Sequence, residues 1–203
     1  MRSHAALPVV SILFLALGSP LIAAGGSARE EVAQQPVREY LLLATNRTST
    51  LEEELNEAAD AGYRFRDVMG GDTAFGGDEA VAIMERVDGA EPRYEYKLLA
   101  TKRTSTMQEE AQEAADAGFQ YRGQTVFSSM FGGDEVVLIM ERDMDAPPQP
   151  YEILLLATSQ TSTMQQELTE AGDAGFEFVG FTVGTTAFGG SEVVSIMGRR
   201  IER

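Results

Sequence analysis

The chain has 203 residues, with 32 acidic side chains against 16 basic ones and a formal net charge of −16. It contains one histidine, His4, and no cysteine or tryptophan. Cysteine nucleophiles and cysteine-based zinc sites are therefore excluded. The acidic excess argues against nucleic acid or an anionic membrane as a partner, although an acidic surface also serves solubility and names no partner by itself.

Residues 1–24 have the pattern of a signal peptide, because Arg2 precedes the apolar stretch 5–17 and small residues follow it. The apolar stretch is shorter than the roughly 20 residues that a membrane span needs, and an uncleaved anchor is the alternative. Cleavage would also remove His4 and with it any histidine general base. We expect export to the periplasm or the medium without membrane insertion after cleavage, and a disordered lead-in over 25–37.

Three copies of one unit follow this lead-in. The segments 39–65, 95–121 and 152–178 align without gaps at a period of about 56 residues, and all three contain the letters "LLAT" and "TST" at equivalent places. Short stretches rich in proline, glycine and aspartate separate the copies and are typical of linkers. The sequence therefore predicts three tandem repeats, at 38–87, 93–143 and 150–200.

Each repeat is predicted to run strand, helix, strand, strand. In the second repeat "YEYKLLA" (94–100) has the content of a strand, and Met107, Ala111 and Ala114 then recur on one face of a helix. A glycine stands where a left-handed residue would end each helix. These residues are Gly62, Gly118 and Gly175.

The start of each helix is predicted from a capping box, in which a threonine caps the helix and an acid or amide follows three residues later. The pairs that fit this spacing are Thr50 with Glu53, Thr106 with Glu109, and Thr163 with Gln166.

A glycine-rich segment joins the second and third strands of each repeat. "FGGDE" occurs at 75–79 and 131–135, and "FGGSE" at 188–192. Gly-Gly-Asp-Glu also occurs in the GGDEF signature of cyclases that make cyclic dinucleotides, but here the unit is too short and no phenylalanine follows the glutamate. We predict hairpin turns, in which two glycines supply positive φ angles.

The strand directions define the fold. A strand, a returning helix and a second strand make the first two strands parallel, and the hairpin makes the third antiparallel to both. Because the third strand is the most apolar, it is predicted to lie in the middle. The predicted fold is α+β, with three tandem β-α-β-β repeats, each a three-stranded sheet of order 1-3-2 with one helix on one face.

The two faces of each sheet are predicted from the third strand. Val81 and Ile83 keep their identity in the other repeats, and we expect this set to pack under the helix. The residues of the opposite face vary but stay largely apolar, and leaving them in water would cost stability in so small a unit. We therefore expect the repeats to bury that face against one another or in an oligomer. The varying residues are Ala80, Ala82 and Met84, then Val136, Leu138 and Met140, then Val193, Ser195 and Met197.

The repeats resemble the small bacterial family called domain of unknown function 4177. The resemblance rests on the opening strand 94–100, on "LEEELNEAADAGY" (51–63), and on a last strand that ends in "IMER" (83–86 and 139–142). The sequence departs from the family in being tripled and exported, and in having tyrosine or phenylalanine after the glycine where tryptophan is common. The resemblance implies the fold and no activity or site residues.

The loop between the first strand and the helix is the predicted ligand site. Free N–H groups at a helix N-terminus hold anions, and the neighbouring hydroxyls and arginines suit a phosphate, a carboxylate or a sugar. Plain helix capping by the same hydroxyls is the alternative. The residues are Arg47, Thr48, Ser49, Thr50, Arg103, Thr104, Ser105, Thr106, Thr161, Ser162 and Thr163.

The topology places this loop near the hairpin turn. Arg47 is then expected to contact Asp78, and Arg103 to contact Asp134. In the third repeat both partners are replaced together, which is the reason for the expectation. An exposed pair of this kind contributes about 0–1 kcal/mol and would occupy the arginine.

The function expected from these features is that of an exported, non-enzymatic protein that binds or scaffolds an unknown partner at the cell envelope, with no cofactor or metal. The acidic runs at 52–54 and 109–110 lack the spacing of a calcium loop. One alternative is binding of a small anionic ligand or a glycan at the strand–helix loops. Another is a carboxylate-dependent hydrolase, which would need two acids converging in a pocket.

Overall fold

The computed structural model of the chain describes residues 36–73, 77–101, 104–128, 134–185 and 191–201. The predicted signal peptide and nearly all of the predicted lead-in lie outside these ranges. Within them, no helix is long and apolar enough to cross a membrane.

The three repeats contain the same elements in the same order, which confirms the predicted strand–helix–strand–strand arrangement. The first repeat has β1 (Arg38–Thr45), α1 (Thr48–Asp60), β2 (Arg64–Thr73) and β3 (Gly77–Val87). The second has β4 (Tyr94–Thr101), α2 (Thr104–Asp116), β5 (Gln120–Ser128) and β6 (Asp134–Asp143). The third has β7 (Tyr151–Thr158), α3 (Thr161–Asp173), β8 (Glu177–Thr185) and β9 (Ser191–Arg200).

Each repeat forms its own three-stranded sheet with the predicted order, β1-β3-β2, β4-β6-β5 and β7-β9-β8. The central strand is antiparallel to both neighbours. In the first repeat, β2 and β3 pair as far as Thr73 opposite Gly77, as a hairpin requires. The strand β3 thus begins inside the "FGGDE" segment, and residues 74–76, where the turn is predicted, lie outside the described residues.

The helix starts differ from the prediction. Helices α1 and α3 begin at Thr48 and Thr161, two residues before the expected caps, and no side chain caps either helix. Before α1, the Thr45 hydroxyl accepts a hydrogen bond from the Arg47 N–H at 3.3 Å. The Arg47 carbonyl then accepts the first helical bond, from Leu51 at 3.1 Å. The predicted capping boxes are therefore wrong, because a turn closed by the last strand residue starts the helix early.

The helix ends are as predicted. Gly62, Gly118 and Gly175 have φ angles of 84°, 91° and 83°, in the left-handed region that glycine adopts without strain. After α1, Gly62 and Tyr63 donate to the carbonyls of Ala59 and Ala58, both at 2.9 Å, in the pattern of a Schellman motif.

An arginine from the last strand of each repeat closes the same helix end. In the first repeat, Arg86 Nη1 donates to the Ala61 carbonyl at 3.1 Å and Nη2 to Glu39 at 2.5 Å. Its guanidinium lies 4.8 Å from the centre of the Tyr63 ring. This arrangement explains the basic residue at the end of the third strand as a partner for the last helical carbonyls. The equivalents are Arg142 over Phe119 and Arg199 over Phe176.

The prediction of which sheet face lies under the helix is wrong. Leu51 and Leu55 of α1 pack with Ala82 and Met84 of β3, so the varying residues face the helix. Sizes compensate within these cores: the first contains the large Leu55 with the small Ala82, whereas the second contains the small Ala111 with the large Leu138. Covariation of facing volumes, which a packed core requires, made this face look variable. We call it the helix-side face.

The opposite sheet face, which we call the back face, packs on the preceding repeat. Tyr96, Leu98 and Ile139 of the second repeat join the core that contains Leu55 of α1. Ile153 and Ile196 of the third repeat join the core of the second. The helix-side face of one repeat and the back face of the next thus form one continuous apolar core.

Side chains of α1 and α2 also cover the free edge of the next sheet. Asn56 of α1 accepts a hydrogen bond from the N–H of Tyr96 and donates to its carbonyl, both at 2.9 Å. In the same way, Gln108 of α2 donates to the Ile153 carbonyl at 2.8 Å and accepts from the Leu155 N–H at 2.7 Å. Open strand edges invite pairing with other chains, and here the preceding helix satisfies them.

Two glycines permit the close approach of successive repeats. A Cβ atom at Gly123 of β5 would stand 3.2 Å from the ring of Phe65. A Cβ atom at Gly180 of β8 would overlap the hydroxyl of Tyr121 and stand 2.8 Å from the Gln124 amide oxygen. The aromatic residue that opens the second strand of one repeat therefore fills the space that a glycine leaves in the next.

Candidate functional site

The strand–helix loops hold the predicted ligand residues at the first turn of each helix. Thr48, Ser49 and Thr50 begin α1, and Arg47 immediately precedes them on the surface. The equivalent residues Thr104, Ser105 and Thr106 begin α2, and Thr161, Ser162 and Thr163 begin α3. Arg103 and the side chains of Asp78 and Asp134 lie outside the described residues, and so do both predicted Arg–Asp pairs.

The N-terminus of α2 already has an anionic partner within the chain. The Thr104 hydroxyl donates a hydrogen bond to the carboxylate of Glu192 at 2.5 Å. Glu192 belongs to β9 of the next repeat, and a carboxylate beside a helix N-terminus is electrostatically favourable. In the second repeat, Glu192 therefore occupies the place where the sequence predicted a ligand.

The opposite end of the sheets, where the second strand of each repeat starts, carries an arginine cluster. Glu141 of β6 is 4% exposed and accepts hydrogen bonds from two arginines. Arg64 of the first repeat approaches Oε2 with Nε at 3.2 Å and Oε1 with Nη2 at 2.8 Å. Arg122 donates to Oε1 from Nε at 2.7 Å and from Nη2 at 2.5 Å. The buried carboxylate of Glu141 thus links the first repeat, through Arg64, to the second, which contributes Arg122.

A buried tyrosine completes this network. The Tyr96 hydroxyl donates to Glu141 Oε2 at 2.9 Å and accepts from the backbone N–H of Phe65 at 2.8 Å. Burial raises the pKa of Tyr96 far above its ordinary value, and the charge of Glu141 raises it further. The phenol therefore stays neutral and acts as a fixed donor to Glu141.

The first repeat holds its own buried carboxylate in a similar way. Glu85, 6% exposed, forms ion pairs with Arg38 and Arg66. The hydrogen bond from Arg38 lowers the pKa of Glu85, and the charge of Arg66 contributes in the same direction. Among the described residues, the buried carboxylates are Glu85 and Glu141, and each is neutralised by two arginines.

A cavity of about 240 Å³ lies at this arginine-rich end, with all three repeats in its wall. Four arginines line it against two acids, Glu141 and Asp143. Arg200 at the end of β9 has no ion pair in the part of the chain that the structure describes. The four arginines are Arg64, Arg122, Arg142 and Arg200.

This cavity can bind an anion, because guanidinium groups form paired hydrogen bonds to carboxylates and phosphates. The cavity was not predictable from local sequence patterns, since the four arginines come from three repeats and are up to 136 positions apart. The available signal was that each arginine lies near a terminus of its strand. Arg64 and Arg122 lie near the start, and Arg142 and Arg200 lie at or near the end.

No group of three or more acidic or histidine side chains within the described ranges is arranged to hold a metal ion, so no metal site is assigned. No family model, no curated protein and no solved structure matches the chain.

Proposed function

We propose that the chain is an exported, non-enzymatic protein that binds or scaffolds a macromolecular partner at the cell envelope. The observation that carries the proposal is the exposure of apolar side chains at both ends of the repeat array. On the back face of the first repeat, Tyr40 is 66% exposed and Leu42 is 63% exposed. On the helix-side face of the third repeat, Phe178 is 56% exposed. Apolar surfaces of this kind mark interaction sites in soluble proteins.

The state of the carboxylates supports a non-enzymatic role. A carboxylate-dependent hydrolase needs one acid that can give or take a proton near neutral pH. Glu85 and Glu141 are instead each held between two arginines, and the hydrogen bond from Arg38 lowers the pKa of Glu85. The apolar segment that follows Arg2 supports export, and the resemblance to domain of unknown function 4177 adds no activity.

Site-specific photo-crosslinking in the producing cell tests this proposal. A photoreactive residue replaces Leu42 in one variant and Phe178 in another, and the control variant carries it at Glu113, an exposed position of α2 in the middle repeat. We expect adducts from positions 42 and 178 in the exported fraction and none from 113. Absence of adducts from both terminal positions would refute the proposal.

A second candidate function is binding of a small anion. The arginine-lined cavity is a better candidate site for that anion than the strand–helix loops. Ligand at about 100 times its dissociation constant would stabilise the fold by roughly 2.7 kcal/mol, which is visible as a rise in melting temperature. Citrate, inorganic phosphate and a nucleoside diphosphate are suitable probes. We expect a rise that Arg200→Gln abolishes and Arg47→Gln preserves; the reverse result would return the site to the loops.

A further inference from the structure

The two ends of the repeat array are equivalent to surfaces that meet inside it. The helix-side face of the third repeat corresponds to the faces that receive the next repeat in the first and second. Phe178 occupies the position of Phe65, which is 5% exposed beneath the second repeat. The back face of the first repeat corresponds to the face that the second repeat buries, with Tyr40 in the position of Tyr96.

We propose that copies of this chain associate head to tail, with the back face of the first repeat of one copy docking on the helix-side face of the third repeat of another. The contact would continue the packing already present between successive repeats. This inference rests on the proposed function and identifies the partner as a second copy of the chain. Because the two surfaces differ, the contact is heterologous and gives open chains or rings rather than a symmetric dimer.

The strand edge at the docking surface has a matching side chain. Gln165 of α3 occupies the position of Gln108, which bonds to Ile153 and Leu155 across the second interface. Among the described residues, the side-chain amide of Gln165 donates a hydrogen bond to the hydroxyl of Thr169, at 3.5 Å within α3. Strand β1 pairs with β3 in the register that β7 uses with β9, so the equivalent backbone groups of β1 face outward. Gln165 can therefore bond to the Tyr40 carbonyl and the Leu42 N–H of another copy.

The charges at the rim of the proposed contact differ from those inside the chain. Across the first interface, Arg64 lies 4.2 Å from the centre of the Tyr94 ring. In the proposed contact, Glu177 takes the position of Arg64, and Arg38 takes that of Tyr94. Glu177 would thus meet Arg38, but it would also approach Glu85, which has the position of Glu141 and is already paired with Arg38 and Arg66. The two carboxylates would weaken the contact.

A second residue also weakens the proposed contact. Asp67 of β2 occupies the position of Gly123 and Gly180, each of which lets an aromatic residue of the preceding repeat approach closely. In the proposed contact, Asp67 would stand against Phe178 and place a carboxylate beside an aromatic ring. The association is therefore expected to be reversible, and weaker than the packing between internal repeats.

Sedimentation velocity of the purified chain over a range of concentrations tests the inference. We expect wild type to form oligomers whose size grows with concentration. Leu42→Asp and Phe178→Asp each alter one exposed end without touching the core, and each variant alone should be monomeric. A one-to-one mixture of the two should form dimers that grow no further, because each variant keeps the end that the other has lost. This pattern distinguishes head-to-tail association from symmetric pairing.

Two further variants complete the test. Asp67→Gly should lower the concentration at which oligomers form by tenfold or more, whereas Glu113→Gln should leave it unchanged. A wild type that stays monomeric up to about 1 mM overturns the inference, even if Asp67→Gly associates, because Asp67 would then block the contact. A mixture of the two end variants that stays monomeric also overturns it. Crosslinks from positions 42 and 178 to a different protein in cells would leave the proposed function standing.

Discussion

The back faces of the first and second repeats carry similar residues in different surroundings. Ile83 and Ile139 occupy the same place in their strands, yet Ile83 is 41% exposed and Ile139 is fully buried. Tyr40 and Tyr96 show the same contrast. The difference comes from the neighbour, because the second repeat has a preceding repeat beneath it and the first has none. A residue's burial in this chain therefore depends on the position of its repeat in the array.

The largest expected difference in stability comes from truncating the equivalent isoleucine on these two faces. Ile139→Ala leaves a cavity between the first and second repeats and should lower the free energy of unfolding by about 2–5 kcal/mol. Ile83→Ala removes a partly exposed side chain and should cost less than about 1 kcal/mol. Urea unfolding followed by circular dichroism measures both. Equal losses would show that the two faces are equally covered in solution, as head-to-tail association at that concentration would require.

Glycine-to-alanine changes in the third repeat sharpen the comparison between packed and open surfaces. At Gly180 the added methyl group would overlap Tyr121 of the preceding repeat, and overpacking costs about 1–3 kcal/mol. A Cβ atom added at Gly172 in α3 would meet no atom within 4 Å outside the backbone of its own helix, so alanine should raise stability by about 0.5–1 kcal/mol through helix propensity. Melting temperatures of the two variants should move in opposite directions. A shift in the same direction would contradict the close contact between β5 and β8.

The two equivalent tyrosines provide a matched pair of hydroxyl deletions. Tyr96→Phe leaves the buried N–H of Phe65 without a partner, removes one of the two hydrogen bonds to Glu141 Oε2, and should cost about 1–3 kcal/mol. Tyr40→Phe alters an exposed side chain and should have no measurable effect on unfolding. Chemical denaturation at pH 7 checks both variants. A Tyr96→Phe variant as stable as wild type would show that the network across the first interface does not form.

The same tyrosine predicts sensitivity to alkali. The pKa of Tyr96 is raised in the folded chain by burial, so its contribution to stability is complete below the unfolded value of about 10 and is lost as the pH rises beyond it. Stability of wild type should therefore fall above pH 10, and Tyr96→Phe should fall less steeply over that range. Parallel curves for the two proteins would contradict the burial of this phenol.

The smallest expected effect is on the stability of the fold at acidic pH. The pKa of Glu85 is lowered in the folded chain, first by the hydrogen bond from Arg38. Its contribution is therefore present above the unfolded value of about 4.3 and is lost as the pH falls through the lowered folded value. Glu85→Gln should unfold with a shallower dependence on pH below 4.3 than wild type. The third repeat offers no equivalent carboxylate, because Gly198 stands at that position.

Much of the fold was predictable because it depends on local rules. The repeat period, the strand order and the glycine at each helix end follow from sequence spacing and from the left-handed conformation that glycine tolerates. The resemblance to domain of unknown function 4177 stays a prediction. The capping boxes were wrong because the Thr45 and Thr158 hydroxyls bond to the residues that precede α1 and α3. Several hydroxyl side chains near each helix start could accept a hydrogen bond from the backbone there. Their spacing in the sequence did not indicate which one does.

The sequence by itself determined the three repeats and the course of each chain segment, because those features depend on contacts within about 50 residues. The packing of successive repeats on one another decided the remaining features, which the sequence pattern did not predict. It set which sheet face meets the helix, how Arg64 and Arg122 share Glu141, and which apolar residues stay exposed at the two ends. Identical sequence positions in the three repeats have different neighbours, and the chemistry of a surface depends on those neighbours.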